Sequence, residues 1–345
     1  IAQVLKNAGY ATWHIGKWHM GGPGHLPTDF GFDVNIGGGH EGSPGKGGYF
    51  SPWTISALAE VDVPDGTCLT DYFGDRAAEL IRDNVSLSDG GAPFFLSFPF
   101  YQVHTPIQGK PELIEKYNKK AADMGLDKLK TFEEGGYFPG KHKKDQRIKR
   151  RLIQSDPVYA AMVESMDDNV GKIIDTLDDL GIANDTVIFF TSDNGGLATS
   201  EGSPTCNAPL SEGKGWMYEG GTREPLLVRW PGVIEAGSIS SCPVTSPDFY
   251  PTILEIAGLD PKPEQHVDGF SMVPALEGSS SFNRGPMYWH YPHYGNQGGT
   301  PGTSIRDGDW KLIRFFEDGH EELYNLIEDI GETANLADAE PKKRE

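Results

Sequence analysis

Thr186-Val187-Ile188-Phe189-Phe190-Thr191-Ser192-Asp193-Asn194-Gly195-Gly196 is the stretch on which the reading of this chain turns. Its first half is a short β-branched and aromatic run, the composition of a buried strand in a mixed or parallel sheet. The run stops abruptly at a carboxylate, a carboxamide and two glycines. In open α/β sheets ligands bind at the carboxyl ends of strands, and glycine lets backbone approach a ligand closely. Asp193 and Asn194 are hard oxygen donors of the kind that calcium or magnesium takes. An Asx turn that only closes the strand accounts for the same residues. The metal reading therefore depends on what the rest of the chain brings to that strand end.

Two other apolar runs end in the same way. Tyr10 to Ile15 reads as a short strand followed by Gly16-Lys17-Trp18-His19-Met20-Gly21-Gly22. Lys17 supplies a fixed cation for an oxyanion, and His19 can donate or relay a proton near neutral pH. Pro93 to Phe100 reads as a second core strand that delivers His104, just ahead of Thr105-Pro106. Downstream, Lys214 lies between two glycines, a second cation free to approach a bound oxyanion. Glu219 and Arg223, four residues apart, read as a brace for that turn. Leu226 to Trp230 is another core strand.

The remaining elements follow from periodicity. Ile1 to Ala8 is the end of an amphipathic helix stopped by Gly9. Leu69 to Asn84 is a helix with Tyr72, Phe73, Ala77, Leu80 and Ile81 inward. Tyr159, Met162, Val163, Met166, Val170, Ile173, Ile174, Leu177 and Leu180 mark a long core helix, and Ser246 to Gly258 a shorter one opened by Pro247. His25 to Gly48 is a glycine-rich loop in which His40 is a candidate substrate ligand. Lys110 to Arg151 reads as a polar excursion. Its last part, Lys141 to Arg151, holds seven Lys or Arg against one Asp. That run is either a solvated loop or a basic lip for a polyanionic glycan. From about Asn283 four short strands predict a small antiparallel sheet, with Asp307-Gly308-Asp309 as a hairpin turn. His290 and His293, among tyrosines, are candidates for its substrate-facing edge. The expected division is 1–283 and 284–345.

Composition excludes some functions. Lys plus Arg is 30 and Asp plus Glu is 50, a formal charge of −20, so nucleic acid is not an expected partner and an anionic substrate needs a local positive site. No stretch has the length of a membrane span. The 44 glycines and 25 prolines indicate many turns and long loops. Cys68, Cys206 and Cys242 are odd in number and widely spaced, with no disulfide framework and no CxxC site.

Gly9-Tyr10-Ala11-Thr12-Trp13-His14-Ile15-Gly16-Lys17-Trp18-His19 closely resembles the second signature of the type I, formylglycine-dependent sulfatases, arylsulfatase-like relatives of alkaline phosphatase. Asp193-Asn194-Gly195 resembles that family's later metal-binding pair. Lys214 ahead of Glu219-Gly220-Gly221-Thr222-Arg223, and Leu323-Tyr324-Asn325-Leu326, continue the likeness across the chain. The resemblance implies an α/β, alkaline phosphatase-like mixed sheet sandwiched by helices, with a small C-terminal antiparallel sheet. It implies hydrolysis of a sulfate monoester on a small molecule or, given the long aromatic and Gly-rich loops, a sulfated carbohydrate. It implies one calcium ion held in part by Asp193 and Asn194, and Lys17 and Lys214 gripping the sulfate. His19 would orient the hydrated formylglycine, and His104 would assist the leaving oxygen. An exported compartment is the expected location. Family members begin with a strand ending in two aspartates, then a Cys- or Ser-x-Pro-x-Arg motif that matures to formylglycine. None of the three cysteines sits in such a motif, so that segment is expected outside these 345 residues. The alternatives are a phosphomonoesterase or phosphonate hydrolase of the same superfamily, and a catalytically dead glycan-binding relative.

Overall fold

The structure is a computed structural model and describes residues 1–87, 91–279 and 282–345. Helix α1 (Ala2–Asn7) ends before Gly9 and feeds β1 (Ala11–Ile15). The chain continues through β2 (Val34–Ile36), the long helix α2 (Leu69–Ser86) and β3 (Phe94–Ser97). β1 lies between β2 and β3, and both pairings are parallel, with His14 opposite Asn35 on one side and Ser97 on the other. Parallel pairing sends all three carboxyl ends to one rim, so the Lys17, His40 and His104 loops start from neighbouring points.

The segment expected to be a polar excursion is more ordered than its composition predicts. It contains a helix, α3 (Pro111–Asp123), and a hairpin of β4 (Phe132–Tyr137) with β5 (Arg147–Arg151). α3 has no fully buried residue and lies on the next long helix, α4 (Pro157–Asp179), where Lys116 reaches Glu164 at 2.5 Å. Leu113, Ile114, Tyr117 and Ala121 recur at helical spacing on its partly buried face, but the charged residues between them give the segment the composition of a polar excursion. α4 opens on Asp156, whose side chain accepts from the Val158 and Tyr159 amides at 3.0 and 3.1 Å, a standard N-cap. Phe73, Ala77 and Ile81 of α2 and Met162 and Leu177 of α4 are buried as expected. Val163, expected inward, is 39 % exposed, because it lies one residue off the stripe carried by Ala161, Met162, Ser165 and Asn169.

The apolar half of the 186–196 stretch forms β6 (Ile188–Thr191). Beyond it come a single turn, α5 (Glu219–Thr222), then β7 (Leu226–Arg229) and α6 (Phe249–Ile256). β6 pairs antiparallel with β7, Phe190 opposite Leu227. Among the described residues β3 and β6 each pair on one side only. Between them runs an apolar trough of about 700 Å³, lined by Phe94, Leu96, Ile173, Ile188, Phe190 and Ile253. Both strands were expected in a closed core. They are instead half-exposed toward this trough.

The C-terminal sheet has the order β11-β10-β9-β8, from β8 (Met287–Tyr291), β9 (Gly302–Asp307), β10 (Trp310–Phe315) and β11 (Glu321–Asn325), all antiparallel. Ile313, Phe315 and Tyr324 pack with Met217 in a second core. Beside them Lys311 is fully buried between Glu219 Oε1 at 2.9 Å and Glu332 Oε1 at 3.0 Å. The expected Glu219–Arg223 pair is present at 3.5 Å, yet the buried Lys311 is the closer partner.

Candidate active site

The β1 end is built by steric necessity. A Cβ on Gly16 would lie 2.1 Å from the Pro99 carbonyl oxygen, and the residue has φ of +113°. That contact lets the Lys17 amide donate to Pro99 O at 2.8 Å, joining the β1 and β3 ends. His19 follows with φ of +59°, left-handed backbone that a non-glycine residue adopts only where its surroundings enforce it. Its amide donates to Gly39 O at 2.9 Å, so the His40 loop wraps the His19 backbone. His40 itself is exposed, with Nδ1 3.5 Å from Glu41 Oε2.

The β3 end presents His104. The Tyr49 hydroxyl lies 2.6 Å and 2.8 Å from the carbonyl oxygens of Tyr101 and His104, and the Tyr101 hydroxyl donates to Gly37 O at 3.1 Å. His104 Nδ1 is 3.0 Å from Thr105 O, and because a carbonyl only accepts, Nδ1 carries the proton and Nε2 is the free end. Burial pulls the His104 pKa down. The nearby Lys214 and Lys17 ammoniums add to this, and the Thr105 carbonyl and Glu201 oppose it. Lys17 is likewise lowered by burial, with Asp193 raising it and Lys214 lowering it. Lys17, Lys214, His104 and Asp193 therefore share one electrostatic environment.

Lys214 and the Asp193-Asn194 turn are held together by backbone at van der Waals limits. A Cβ on Gly195 would come 1.8 Å from Gly220 O. The Lys214 amide donates to Gly196 O at 3.2 Å. Asn207 Nδ2 donates to both Gly196 O at 2.9 Å and Glu212 O at 2.8 Å, tying the turn after Asp193 to the segment before Lys214. Sequence reasoning missed Asn207, since a lone Asn in a loop carries no signal. Asn194 Nδ2 donates to Asp193 Oδ1 at 2.7 Å.

A second residue missed from sequence is Glu224. Its Oε1 is buried without a partner, and its pKa is pushed up to about 7, first by burial and then by Asp193. Among the described residues no group of three or more His, Cys, Asp or Glu gathers closely enough to enclose a metal. Asp193 and the Asn194 carbonyl are oxygen donors that fit part of the six-to-eight-oxygen shell of a hard cation, roughly a quarter to a third of it. An orphaned carboxyl facing Asp193 is consistent with positive charge at that point.

The histidines of the C-terminal sheet differ in placement. His290 shares the outward face of β8 with Tyr288, its ring 5.6 Å from Phe316. His293 lies against Tyr291 at 5.4 Å, on a loop tied to the Lys214 segment by Trp216 Nε1 donating to Gln297 O at 3.1 Å. The structure thus brings Lys17, His104, Lys214 and Asp193 together, sets His19, His40 and His293 on adjoining loops, and leaves His290 on another face. All three cysteines are free, and no described helix is long and apolar enough to cross a membrane.

Comparison with known proteins agrees with this geometry. The Sulfatase family model matches residues 1–259, and the model for the C-terminal part of N-sulphoglucosamine sulphohydrolase matches 212–344. A sulfatase of Formosa agariphila is 32 % identical over 99 % of this chain, which spans 66 % of that protein. Human N-acetylgalactosamine-6-sulfatase is 28 % identical over 84 % of the chain, which spans 50 % of it. The crystal structure of Ps i-CgsB in complex with k-i-k-neocarrahexaose superposes with TM-score 0.75 at 27 % identity, covering 99 % of this chain and 71 % of that one. The neighbours share the alkaline phosphatase-like architecture expected above. The chain belongs to the sulfatase family.

Proposed function

We propose that the protein hydrolyses sulfate monoesters on a sulfated carbohydrate, with calcium and a formylglycine nucleophile completing the site. The convergence of Lys17, Lys214 and His104 beside Asp193 carries this reading. When bound, the cation adds positive charge against the sulfate and the formylglycine supplies the attacking oxygen. This chain's own residues do the rest. Lys17 and Lys214 neutralise sulfate oxygens in a preorganised, partly desolvated setting. His104, with Nδ1–H held by Thr105 O, aims Nε2 at the leaving oxygen and, in its imidazolium form, protonates it. His19, locked in left-handed backbone, orients the nucleophile.

The trough between β3 and β6 supports the expectation of one more apolar strand, contributed from outside these 345 residues. It is apolar, bounded by two one-sided strands, and runs toward the rim that holds Asp193. On this reading the 345-residue chain alone is inactive. The carbohydrate assignment draws on relatives named for N-acetylgalactosamine-6-sulfate chemistry. A steryl-sulfatase stands among the relatives too, so substrate class is part of the proposal. The same reading places the complete protein in an exported compartment, where sulfated glycans are encountered.

The test is Asp193→Ala in the full-length protein, with bound calcium and turnover measured on one preparation. Both should fall together. A variant that keeps its calcium and its activity would reduce Asp193 to a turn residue.

A further inference from the structure

Residues 198–205 form a loop with an unusual distribution of exposure. Ala198, Thr199 and Ser200 are buried, Glu201 and Gly202 are exposed, and Ser203, Pro204 and Thr205 are buried again. Both flanks are pinned. On one side the Arg151 amide donates to Ala198 O at 2.9 Å, Arg151 Nε donates to Ser203 O at 2.5 Å, and Ser203 Oγ donates to Lys149 O at 2.7 Å. On the other, Thr199 Oγ1 donates to Gln297 O at 2.7 Å and Ser200 Oγ to Asn296 O at 3.0 Å.

The pinned loop presents one side chain. Glu201 has φ of +54°, a left-handed conformation with no glycine to relieve it. Its carboxylate accepts from Thr105 Oγ1 at 3.2 Å and from Gln297 Nε2 at 3.3 Å. Thr105 Oγ1 is in turn 3.3 Å from His104 Nδ1. Hydrogen positions follow from the donors available. Nδ1–H is shared between Thr105 O and Thr105 Oγ1, and the hydroxyl hydrogen is directed to Glu201.

We propose that Glu201 is a positioning residue for His104: acting through Thr105, it fixes the imidazole with Nε2 toward the substrate and keeps it a proton donor to the departing alcohol. The inference rests on the sulfatase reading of the site. In the step it serves, the attacking oxygen of the formylglycine would bond to sulfur as the S–O bond to the sugar breaks; the electron pair of the broken bond stays on the sugar oxygen, and the Nε2 proton of the imidazolium moves to that oxygen, leaving a neutral imidazole that solvent reprotonates. The charged groups facing His104 are Lys17 and Lys214, which disfavour the imidazolium, and Glu201, which favours it. Glu201 is thus the one carboxylate among these charged groups, and it opposes the two cations in part.

Leaving-group dependence tests this. p-Nitrophenolate departs with little need of a proton, whereas a sugar alkoxide needs one. In the full-length enzyme Glu201→Gln should lower kcat/KM for a sugar sulfate at neutral pH by roughly two- to fivefold, the effect of a screened, exposed charge partner. It should also move the high-pH limb to lower pH and leave p-nitrophenyl sulfate turnover unchanged. Thr105→Val should reproduce the pattern, and Glu201→Gln should add nothing in a His104→Gln background. Equal loss on both substrates, an unmoved pH limb, or an undiminished effect without His104 would overturn the assignment. A wild-type enzyme that releases sulfate from neither ester would instead overturn the sulfatase reading beneath it.

Discussion

Lys214 and the residues around it differ in what the sequence says of them. Its flanking glycines marked it as a cation free to approach an anion, and the structure sets it in the environment of Lys17 and His104. What supports it was illegible. Asn207 and Glu224 lie in segments whose composition says nothing, and their roles follow from contacts made 11 residues away or across the turn. His19 carried its chemistry in its side chain, but its left-handed backbone is held by the Gly39 carbonyl and its ring lies where a Cβ on Gly42 would sit, contacts no local rule connects to it. Lys214→Ala should leave folding intact and lower kcat/KM by roughly 10²- to 10³-fold, the usual effect of losing one preorganised oxyanion partner. A steady-state comparison beside thermal melts checks both halves.

At the level of elements, strands with dense β-branched and aromatic runs were legible, while α3 was not, because its charged composition masked a clear helical spacing. The basic run proved to be two populations. Arg150 pairs with Glu212, Arg151 is buried against Ser203 O and Asp156, and Lys143 donates to Asn296 O at 2.8 Å. Lys141 and Lys144 remain exposed. Reversing Lys141 and Lys144 to Glu should therefore weaken binding of long sulfated glycans in a salt-sensitive way and spare a monosaccharide sulfate. Titrating both ligands at two ionic strengths reads this out, and equal binding by wild type and variant would remove the lip. Arg150→Glu, by contrast, should disrupt the hairpin.

The buried Lys311 cluster makes its own predictions. Lys311→Met leaves Glu332 without its cation and Glu219 with only the longer Arg223 and Arg306 pairs, at 3.5 and 3.7 Å, and should cost about 3–5 kcal/mol, measurable by urea denaturation. Burial, chiefly, pushes the Glu332 carboxyl from 4.5 to about 7, against the opposing pull of Lys311. The folded state then keeps a proton that the unfolded chain has lost. This contribution is complete below pH 4.5 and disappears as pH rises through about 7. Glu332→Gln should flatten that fall in the urea midpoint.

Over the whole molecule, the order of elements and the C-terminal sheet were legible, because each rests on local pattern and turn chemistry. The trough was not: it is a property of two strands far apart in the chain, Phe94–Ser97 and Ile188–Thr191, that face a space rather than each other. We propose that 284–345 is a subdomain and not an independent unit, since Arg284 binds the buried Asp248 at 2.8 Å and Lys311 binds Glu219 at 2.9 Å across the division at 283. Truncation at 283 should yield a chain that no longer unfolds cooperatively, as followed by calorimetry.

On the proposed function, Lys17, Lys214, His104 and Asp193 act as one sulfate-ester site. The most direct measurement is release of inorganic sulfate, by ion chromatography, from a sulfated oligosaccharide and from the matching phosphate ester, using the full-length calcium-loaded protein and its Lys17→Ala, Lys214→Ala double variant. Sulfate release by the wild type in preference to phosphate is expected, with its near-complete loss in the variant. Undiminished release by the variant, or preferential turnover of the phosphate ester, would contradict the proposed function.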